Sequence, residues 1–251
     1  MEETVSFKNA SGDEIAGILS VPEKPDGRGV VLLHCFTCTK HHRIMRNLAS
    51  AMSAHGISAL RMDFSGNGES GGRIEEATYT KMLGEVRTAV SLLLTRKIRT
   101  VGVAGHSMGA MLSLLSAQND PRLSAVGFIA GSSQAARVRE VFPKEDIEKA
   151  EKDGEAGSMA YGRAIRLRRE FLLDVEKYNV GHAAATLGRP ILIVHGTADE
   201  TIPYYHARQL HNWCSEPKTL ELLDGADHLF KDEKHLKEMT KKVADWFAKH
   251  L

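Results

Sequence analysis

The chain has 251 residues, a length that suits one α/β domain with an insertion or two small domains. Its 33 Lys and Arg residues balance 32 Asp and Glu residues, so no basic field points to nucleic acid or to an anionic membrane. The acidic N-terminus lacks the apolar segment of a signal peptide, and no apolar run approaches the roughly 18 residues of a membrane span. Three cysteines do not make a disulfide framework. We therefore expect a cytoplasmic protein with neither nucleic-acid nor membrane partners.

Strands and helices alternate through the first half of the chain. Two segments of alternating polarity predict an N-terminal β-hairpin, at 4–9 and 14–20. Continuous apolar runs predict four strands buried on both faces, at 29–34, 57–62, 98–104 and 123–130. Apolar residues at helical spacing predict helices at 43–55, at 75–96 and after residue 107. This alternation is typical of a parallel sheet with right-handed crossovers.

Residues 132–186 interrupt the alternation. They are rich in Arg, Lys and Glu and contain no buried-strand run, while Ala164, Leu167, Phe171 and Val175 form an apolar stripe that predicts a helix over 163–177. Either this is a solvated helical excursion or it is a cap over an active site. We favour the cap because the alternation resumes beyond it, with strands at 190–196 and 218–223 and helices at 203–214 and 233–250.

The predicted fold class is therefore α/β, with a mostly parallel central sheet of about eight strands, helices on both faces and a helical cap insertion. Residues 1–131 and 187–251 form the core, and 132–186 form the cap. Ligands of such sheets bind at the carboxyl ends of the strands.

Residues 105–109, Gly-His-Ser-Met-Gly, follow the strand at 98–104 and precede an Ala/Leu/Met-rich helical run. A serine on so tight a turn is lifted out of the sheet, and the glycines permit strand and helix to pass closely. Residues 68–72, Gly-Glu-Ser-Gly-Gly, match the same pattern, but no apolar helix starts there. We therefore interpret Ser107 as a nucleophile and Ser70 as a loop residue.

A serine hydroxyl needs a base to take its proton, and the base needs a carboxylate to orient it. Asp199 follows the strand at 190–196, and His228 lies between the last strand and the last helix. The order Ser107, Asp199, His228 is the chain order of an α/β-hydrolase triad. Glu200, Asp224 and Asp227 compete with Asp199 for the acidic role, whereas Asp63 leads a glycine-rich loop and is expected to accept its backbone N–H bonds.

Acyl transfer also needs donors for the negative oxygen of the tetrahedral intermediate. The backbone N–H of Met108 follows the nucleophile directly and lies at a helix N-terminus. The second donor comes from the loop after the strand at 29–34, where the N–H of Phe36 is the best candidate and that of Thr37 is the next. This chemistry requires neither a metal nor an organic cofactor.

These features resemble the α/β-hydrolase superfamily over nearly the whole chain. His-Cys-Phe-Thr at 34–37 looks like the His-Gly-Phe-Thr oxyanion loop of cinnamoyl and feruloyl esterases and of serine-aminopeptidase-like hydrolases of the S33 type. Asp-Phe-Ser-Gly-Asn-Gly-Glu-Ser at 63–70 looks like their Asp-Phe-x-Gly-x-Gly-x-Ser loop. The resemblance implies a lid where residues 132–186 lie.

Cys35 stands where that loop has glycine. The segment His-Cys-Phe-Thr-Cys at 34–38 is similar to the hydrolase part of proteins that fuse such a domain to an OsmC-like peroxide-reducing domain. We expect Cys35 and Cys38 to be ordinary thiols. Two alternatives remain open, a redox-active pair and a metal site with His34, His41 and His42.

The sequence thus predicts a serine hydrolase, a carboxylesterase for small acyl or aromatic-acid (cinnamoyl-type) esters, with a small-molecule ester as its partner. The same machinery would serve an aminopeptidase, a thioesterase, a lipase or a cofactor-free perhydrolase, and an aminopeptidase would use acidic residues such as Glu69, Glu75 and Glu155 to hold an amine. A non-catalytic receptor on the same fold is disfavoured by the complete triad. Whether the chain is a monomer or a homodimer is left open.

Overall fold

The computed structural model describes residues 1–251 as an α/β domain. Its central sheet contains eight strands: β1 (Glu2–Lys8), β2 (Glu14–Ser20), β3 (Arg28–Leu33), β4 (Ser58–Met62), β5 (Thr100–His106), β6 (Leu123–Ile129), β9 (Ile191–Gly196) and β10 (Lys218–Leu223). Their spatial order is β1-β2-β4-β3-β5-β6-β9-β10. The pairings β1–β2 and β2–β4 are antiparallel, and every pairing from β4 to β10 is parallel. The predicted sheet is confirmed in strand number and in its mostly parallel character.

Helices cover both faces of the sheet, as predicted. The helices of the α/β core are α1 (Arg43–Ala54), α2 (Tyr79–Thr95), α3 (Met108–Asn119), α7 (Tyr205–Trp213) and α8 (Glu233–His250). Alternate residues of β3 belong to two separate apolar clusters, Val31 and Leu33 on the α2–α3 side and Val30 and Leu32 on the α1–α8 side. The continuous apolar run in this strand therefore reflects burial on both faces.

The helix predicted at 75–96 begins later than expected. Residues 74–76 form a short 3₁₀ turn, and α2 starts at Tyr79 because Thr78 caps it, its hydroxyl accepting the backbone N–H of Lys81 at 3.1 Å. The apolar periodicity alone did not locate this boundary.

The segment between β6 and β9 contains a 3₁₀ helix (Ala135–Val141), α4 (Lys144–Asp153), an antiparallel hairpin of β7 (Glu155–Ala160) and β8 (Arg163–Arg168), then α5 (Arg169–Val175) and α6 (Val180–Thr186). The prediction of one helix over 163–177 was therefore wrong for its first six residues. Tyr161 and Gly162 adopt positive φ angles of 48° and 77°, which form a tight hairpin turn. The insertion mixes helices with a hairpin instead of being purely helical.

No helix in the structure is both long enough and apolar enough to cross a membrane.

Candidate active site

Ser107 occupies the turn between β5 and α3, at the carboxyl end of a central strand. Its backbone angles are φ 57° and ψ −116°, a conformation that is uncommon for a residue with a side chain. A Cβ at Gly105 would lie 2.1 Å from the carbonyl oxygen of Gly109, and a Cβ at Gly109 would lie 2.2 Å from that of Leu33. Only glycine fits at both flanks, because helix, turn and β3 approach one another so closely.

His228 connects Ser107 to Asp199. The Nε2 atom of His228 lies 3.1 Å from the Ser107 hydroxyl, and its Nδ1 atom lies 2.8 Å from Oδ2 of Asp199. Because a carboxylate accepts hydrogen bonds, Nδ1 carries the proton of a neutral ring, and Nε2 remains free to accept the serine proton. The structure thus brings together the three residues that the sequence selected, in the relative positions of a nucleophile, a base and an orienting acid.

Asp199 is buried and accepts three hydrogen bonds. Oδ1 accepts from the backbone N–H groups of Thr201 and Ile202 at 2.9 and 2.8 Å, and Oδ2 accepts from His228 at 2.8 Å. Nε2 of His195 lies 3.1 Å from the same Oδ2 and donates to the carbonyl of Ile202 at 2.7 Å. Burial alone would raise the pKa of Asp199, but the interactions with His195 and His228 outweigh it and place the pKa well below its usual range. Asp199 is therefore ionised at neutral pH.

The three competing acids make other contacts. Glu200 is exposed, Asp224 accepts the Thr197 hydroxyl at 3.0 Å, and Asp227 accepts the backbone N–H of Leu229 at 2.8 Å. The side chain hydrogen-bonded to His228 is that of Asp199.

The two predicted oxyanion donors lie beside the serine. Phe36 and Met108 line the same cavity as Ser107. The N–H of Phe36 donates to no group of the protein. Met108 is the first residue of α3, where a backbone N–H has no acceptor within the helix. Both amides are therefore available to a substrate oxygen.

His106 is a contact of the triad that the sequence reading did not select. Its Nε2 donates to the backbone carbonyl of His228 at 2.8 Å, and the two ring centroids are 4.9 Å apart. Complete burial, with the nearby His228, lowers the pKa of His106 well below its usual range, so this ring is neutral. His106 supports the backbone that carries His228.

Two anchors attach the loop 34–40 to the glycine-rich loop. At its start, His34 accepts the backbone N–H of Phe64 at 3.1 Å and donates to the carbonyl of Cys35 at 2.7 Å, while burial lowers the pKa of His34 to about 4. At its end, the fully buried ammonium of Lys40 contacts Asp63 at 2.5 Å.

Asp63 also binds backbone, as the sequence predicted. It accepts the N–H of Glu69 at 2.9 Å and that of Lys40 at 2.5 Å. The ion pair with Lys40 was not expected, because no local pattern marks a lysine as buried. Ser70 belongs to this loop, where its hydroxyl donates to the carbonyl of Asp63 at 2.8 Å, so it is not a second nucleophile.

Cys35 and Cys38 form a disulfide, with their Cα atoms 5.3 Å apart. The expectation of ordinary thiols at these two positions was therefore wrong, because the turn between them brings the sulfurs into bonding distance. Cys214 is the free cysteine, and it is buried. His42 brings a ring nitrogen within 4.8 Å of both sulfurs, but a disulfide sulfur lacks the thiolate charge that binds metals. The bonded pair consequently favours the redox alternative over the metal alternative.

A cavity of about 330 Å³ opens at Ser107. Besides Ser107, the core supplies Phe36, Met108, Met111, Thr201 and Ile202 to its wall. The segment between β6 and β9 supplies Ser132, Arg137, Val138, Glu140, Val141 and Tyr161. Most of these side chains are apolar, and the polar exceptions include Arg137 and Glu140, which pair with each other at 3.2 Å.

The sheet order, the strained serine turn and the site at the carboxyl ends of the strands define an α/β-hydrolase fold. The family model described as serine aminopeptidase, S33, matches residues 25–152, about half of the chain. The chain therefore belongs to this family of α/β-hydrolases.

Comparisons with individual proteins agree with the family. The monoacylglycerol lipase of Mycolicibacterium smegmatis is 24% identical, over 98% of this chain and 97% of that protein. The esterase domain of a Rhodothermus marinus protein superposes with a TM-score of 0.80 and 26% identity, over 100% of this chain and 99% of that chain. Est1E of Butyrivibrio proteoclasticus, solved with ferulic acid bound, has a TM-score of 0.85 and 21% identity, over 98% of each chain.

The uncharacterized protein YfhR of Escherichia coli is 34% identical over 59 residues, so the chain covers only 21% of the length of that relative.

Proposed function

We propose that this chain is a serine carboxylesterase acting on small acyl or aromatic-acid esters. The observation that carries the proposal is the continuous contact from Ser107 through His228 to Asp199, at 3.1 and 2.8 Å, beside two backbone amides available to an oxygen. Such an arrangement can activate a serine hydroxyl for attack on a carbonyl and stabilise the negative oxygen that forms in acyl transfer.

In the proposed mechanism, the hydroxyl of Ser107 attacks the ester carbonyl while Nε2 of His228 takes its proton. The N–H groups of Phe36 and Met108 stabilise the negative oxygen of the tetrahedral intermediate. His228 then returns the proton to the leaving alcohol, and the acyl group stays on Ser107. A water molecule, deprotonated by the same imidazole, releases the acid. Asp199 orients the ring and stabilises its charged form throughout.

The cavity supports a small or aromatic acyl group. Its volume of about 330 Å³ lies near the lower end of small-molecule sites, and its wall is mostly apolar. The segment 132–186 contributes six of the twelve lining residues, and we propose that it acts as the cap of the core formed by 1–131 and 187–251.

The acidic residues favour esterase over aminopeptidase chemistry. Glu69 contacts Lys40 at 2.8 Å and Glu155 contacts Arg166 at 2.9 Å, and neither of them lines the cavity at Ser107; nor does Glu75. Glu140 does line it, but Arg137 neutralises its charge. A substrate ammonium would therefore find no unpaired carboxylate there.

A fluorophosphonate probe tests the proposal directly. We expect labelling of the wild-type protein at neutral pH, located at Ser107 by peptide mass analysis, and no labelling of Ser107→Ala. The matched control is Ser70→Ala, which leaves labelling intact. Folded wild-type protein that takes no label would refute the hydrolase and favour a non-catalytic receptor.

A substrate panel then tests the specificity. We expect turnover of p-nitrophenyl esters of short acids and of cinnamate-type esters, with activity decreasing as the acyl chain outgrows the cavity. Aminoacyl-anilides serve as the competing class, and a preference for them would replace the esterase proposal with the aminopeptidase alternative.

A further inference from the structure

The disulfide encloses a proposed oxyanion donor. Cys35 and Cys38 are the ends of a four-residue turn, closed by their bond and by a hydrogen bond from the N–H of Cys38 to the carbonyl of Cys35 at 3.1 Å. Phe36, whose amide is unpaired beside Ser107, is the second residue of this turn. The position of that amide therefore depends on the geometry of the turn.

The third residue of the turn is strained. Thr37 has a φ of 61°, in the left-handed region that glycine prefers and that a β-branched side chain rarely adopts. A turn with positive φ at its third residue usually carries glycine there. Two links between the ends of the turn constrain Thr37 to this conformation, the Cys35–Cys38 bond and the hydrogen bond from Cys38 to Cys35.

The two sulfurs differ in accessibility. Cys35 is buried, 8% exposed, whereas Cys38 is only half-buried. A small thiolate can therefore approach the sulfur of Cys38 more easily than that of Cys35. Cys214, at 3% exposure in the core, is remote from this chemistry and serves as an internal reference.

We propose that the Cys35–Cys38 pair is a thiol–disulfide exchange site for small dithiols and small disulfides, and that its oxidised form holds the Phe36 amide in place for catalysis. The second half of this inference rests on the esterase function proposed above. In the cytoplasm that the sequence favours, protein disulfides are usually transient and redox-sensing.

The exchange balances with a dithiol as the reductant. One thiolate attacks the sulfur of Cys38, the bond between the cysteines breaks, and Cys35 leaves as a thiolate that takes a proton. The second thiol of the reductant displaces Cys38 from the mixed disulfide. The products are two protein thiols and a cyclic disulfide, and the two electrons have moved from the reductant to the protein. A small disulfide such as oxidised glutathione reverses the reaction.

Reduction affects the turn without releasing the whole loop. His34 and Lys40 keep the loop ends attached to Phe64 and Asp63. Between these anchors, the backbone from Cys35 to Cys38 is no longer closed by a covalent bond, so Thr37 can leave the left-handed region and the Cys35–Phe36 peptide, which carries the Phe36 amide, can rotate. We expect a lower kcat with little change in KM, because an oxyanion donor acts mainly in the transition state.

Thiol counting tests the exchange site independently of any activity. Before reduction, the folded protein should show no reactive thiol, and the denatured protein should show one, from Cys214. Treatment of the folded protein with dithiothreitol and a chelator should expose two more, which peptide mapping assigns to Cys35 and Cys38. Two free thiols at these positions in protein purified without reductant and exposed to oxidised glutathione would overturn the exchange site.

Kinetics with a p-nitrophenyl ester test the effect on catalysis. We expect reduction to lower kcat about tenfold or more, and oxidised glutathione to restore it. Cys214→Ser should respond as the wild type does. The double variant Cys35→Ser/Cys38→Ser should show the low kcat and no response to reductant, with circular dichroism verifying its fold.

Thr37→Gly separates turn geometry from the disulfide itself. Glycine adopts positive φ without strain, so the reduced form of this variant should retain most of its kcat. Equal kcat for the oxidised and reduced wild type would overturn the control of catalysis. Failure of the fluorophosphonate to label even the oxidised protein would instead refute the esterase proposal, while the thiol count would still test the exchange site.

Discussion

His195 Nε2 lies 3.1 Å from Oδ2 of Asp199, the same oxygen that accepts the Nδ1 proton of His228. The same nitrogen is 2.7 Å from the carbonyl of Ile202, and because a carbonyl only accepts, Nε2 of His195 carries a proton. The histidine at the end of β9 thus lies against the carboxylate that contacts His228. In the proposed mechanism it is a positioning residue.

Replacement of His195 tests this role. His195→Phe removes the hydrogen bond to the Ile202 carbonyl and the polar contact with the buried carboxylate, which should lower the free energy of unfolding by about 1–3 kcal/mol. It should also lower kcat several-fold, because Asp199 then holds His228 less firmly. Steady-state kinetics with a p-nitrophenyl ester measure the change in kcat, and urea unfolding measures the change in stability. His182→Phe, on an exposed position of α6, is the control and should change neither. An unaltered kcat in His195→Phe would contradict the positioning role.

Acid should destabilise the fold below neutral pH. Burial lowers the pKa of His34 and of His206 to about 4, and that of His106 well below the usual 6.5. Between about pH 6.5 and 4 the unfolded chain binds more protons than the folded one, so stability decreases as pH falls. Each of these histidines contributes a slope of up to about 1.4 kcal/mol per pH unit. Urea unfolding at a series of pH values from 7.5 to 5 measures this decrease in stability.

His206→Asn provides the matched variant. Its stability should depend less steeply on pH than that of the wild type, since one histidine no longer titrates on unfolding. If the free energy of unfolding changed equally with pH in the two proteins, the titration of His206 would not contribute to the pH dependence of stability.

Two glycine-to-alanine changes in helices should have opposite outcomes. In Gly109→Ala the new Cβ would meet the carbonyl of Leu33 at 2.2 Å, so α3 must move away from β3, and we expect a destabilised protein that no longer labels with fluorophosphonate. In Gly84→Ala no atom lies within 4 Å of the new Cβ, and the helix propensity of alanine should raise stability by about 1 kcal/mol. Thermal unfolding compares them directly. Equal melting temperatures of the two variants would contradict the close approach of α3 to β3 at Gly109.

The buried pair Lys40–Asp63 should be costly to break on one side. Lys40→Met leaves the carboxylate of Asp63 buried without its cation and should destabilise the protein by about 3–5 kcal/mol. Lys40→Met/Asp63→Asn removes the charge as well, so it should be more stable than the single variant. Chemical unfolding of both proteins checks the order. If the double variant were the less stable one, the backbone contacts of Asp63 would matter more than the ion pair.

Tyr161 should affect substrate choice. It lines the cavity from the β7–β8 turn and is 60% exposed, so its removal opens the acyl site without exposing the core. We expect Tyr161→Ala to raise KM for aromatic esters several-fold and to leave acetate esters nearly unchanged. Tyr205→Ala removes a ring that is 52% exposed but does not line the cavity, and it serves as the control. An equal effect of both variants would argue against contact between Tyr161 and the acyl group.

Much of the molecule could be predicted from local patterns. Apolar runs predicted the central strands, because burial on both faces of the sheet requires such runs. Helical periodicity predicted the helices that cover the sheet, because each of them buries one face. The glycines around Ser107, and the positions of Asp199 and His228 after their strands, singled out three residues that lie within 3.1 Å of their neighbours in the structure. These signals are local, since each depends only on adjacent residues and on chain order.

The hairpin β7–β8 could not be predicted in this way. Residues 164, 167, 171 and 175 have helical spacing, yet β8 is held by pairing with β7 and by the positive φ angles of Tyr161 and Gly162. In the strand Ala164 is exposed and only Leu167 is buried, whereas Phe171 and Val175 are buried from the helix α5. Apolar periodicity does not distinguish the two when the strand is short.

The sequence by itself determined the fold class, the strained serine turn and the candidates for nucleophile, base and acid, since strand ends and turn residues carry these signals. Only the tertiary structure decided which groups support them: His195 behind Asp199, His106 under His228, Lys40 beside Asp63, and the bond from Cys35 to Cys38. Those contacts depend on distances between loops that are far apart in sequence or on the conformation of a single turn, and neither is visible in a pattern of residue types.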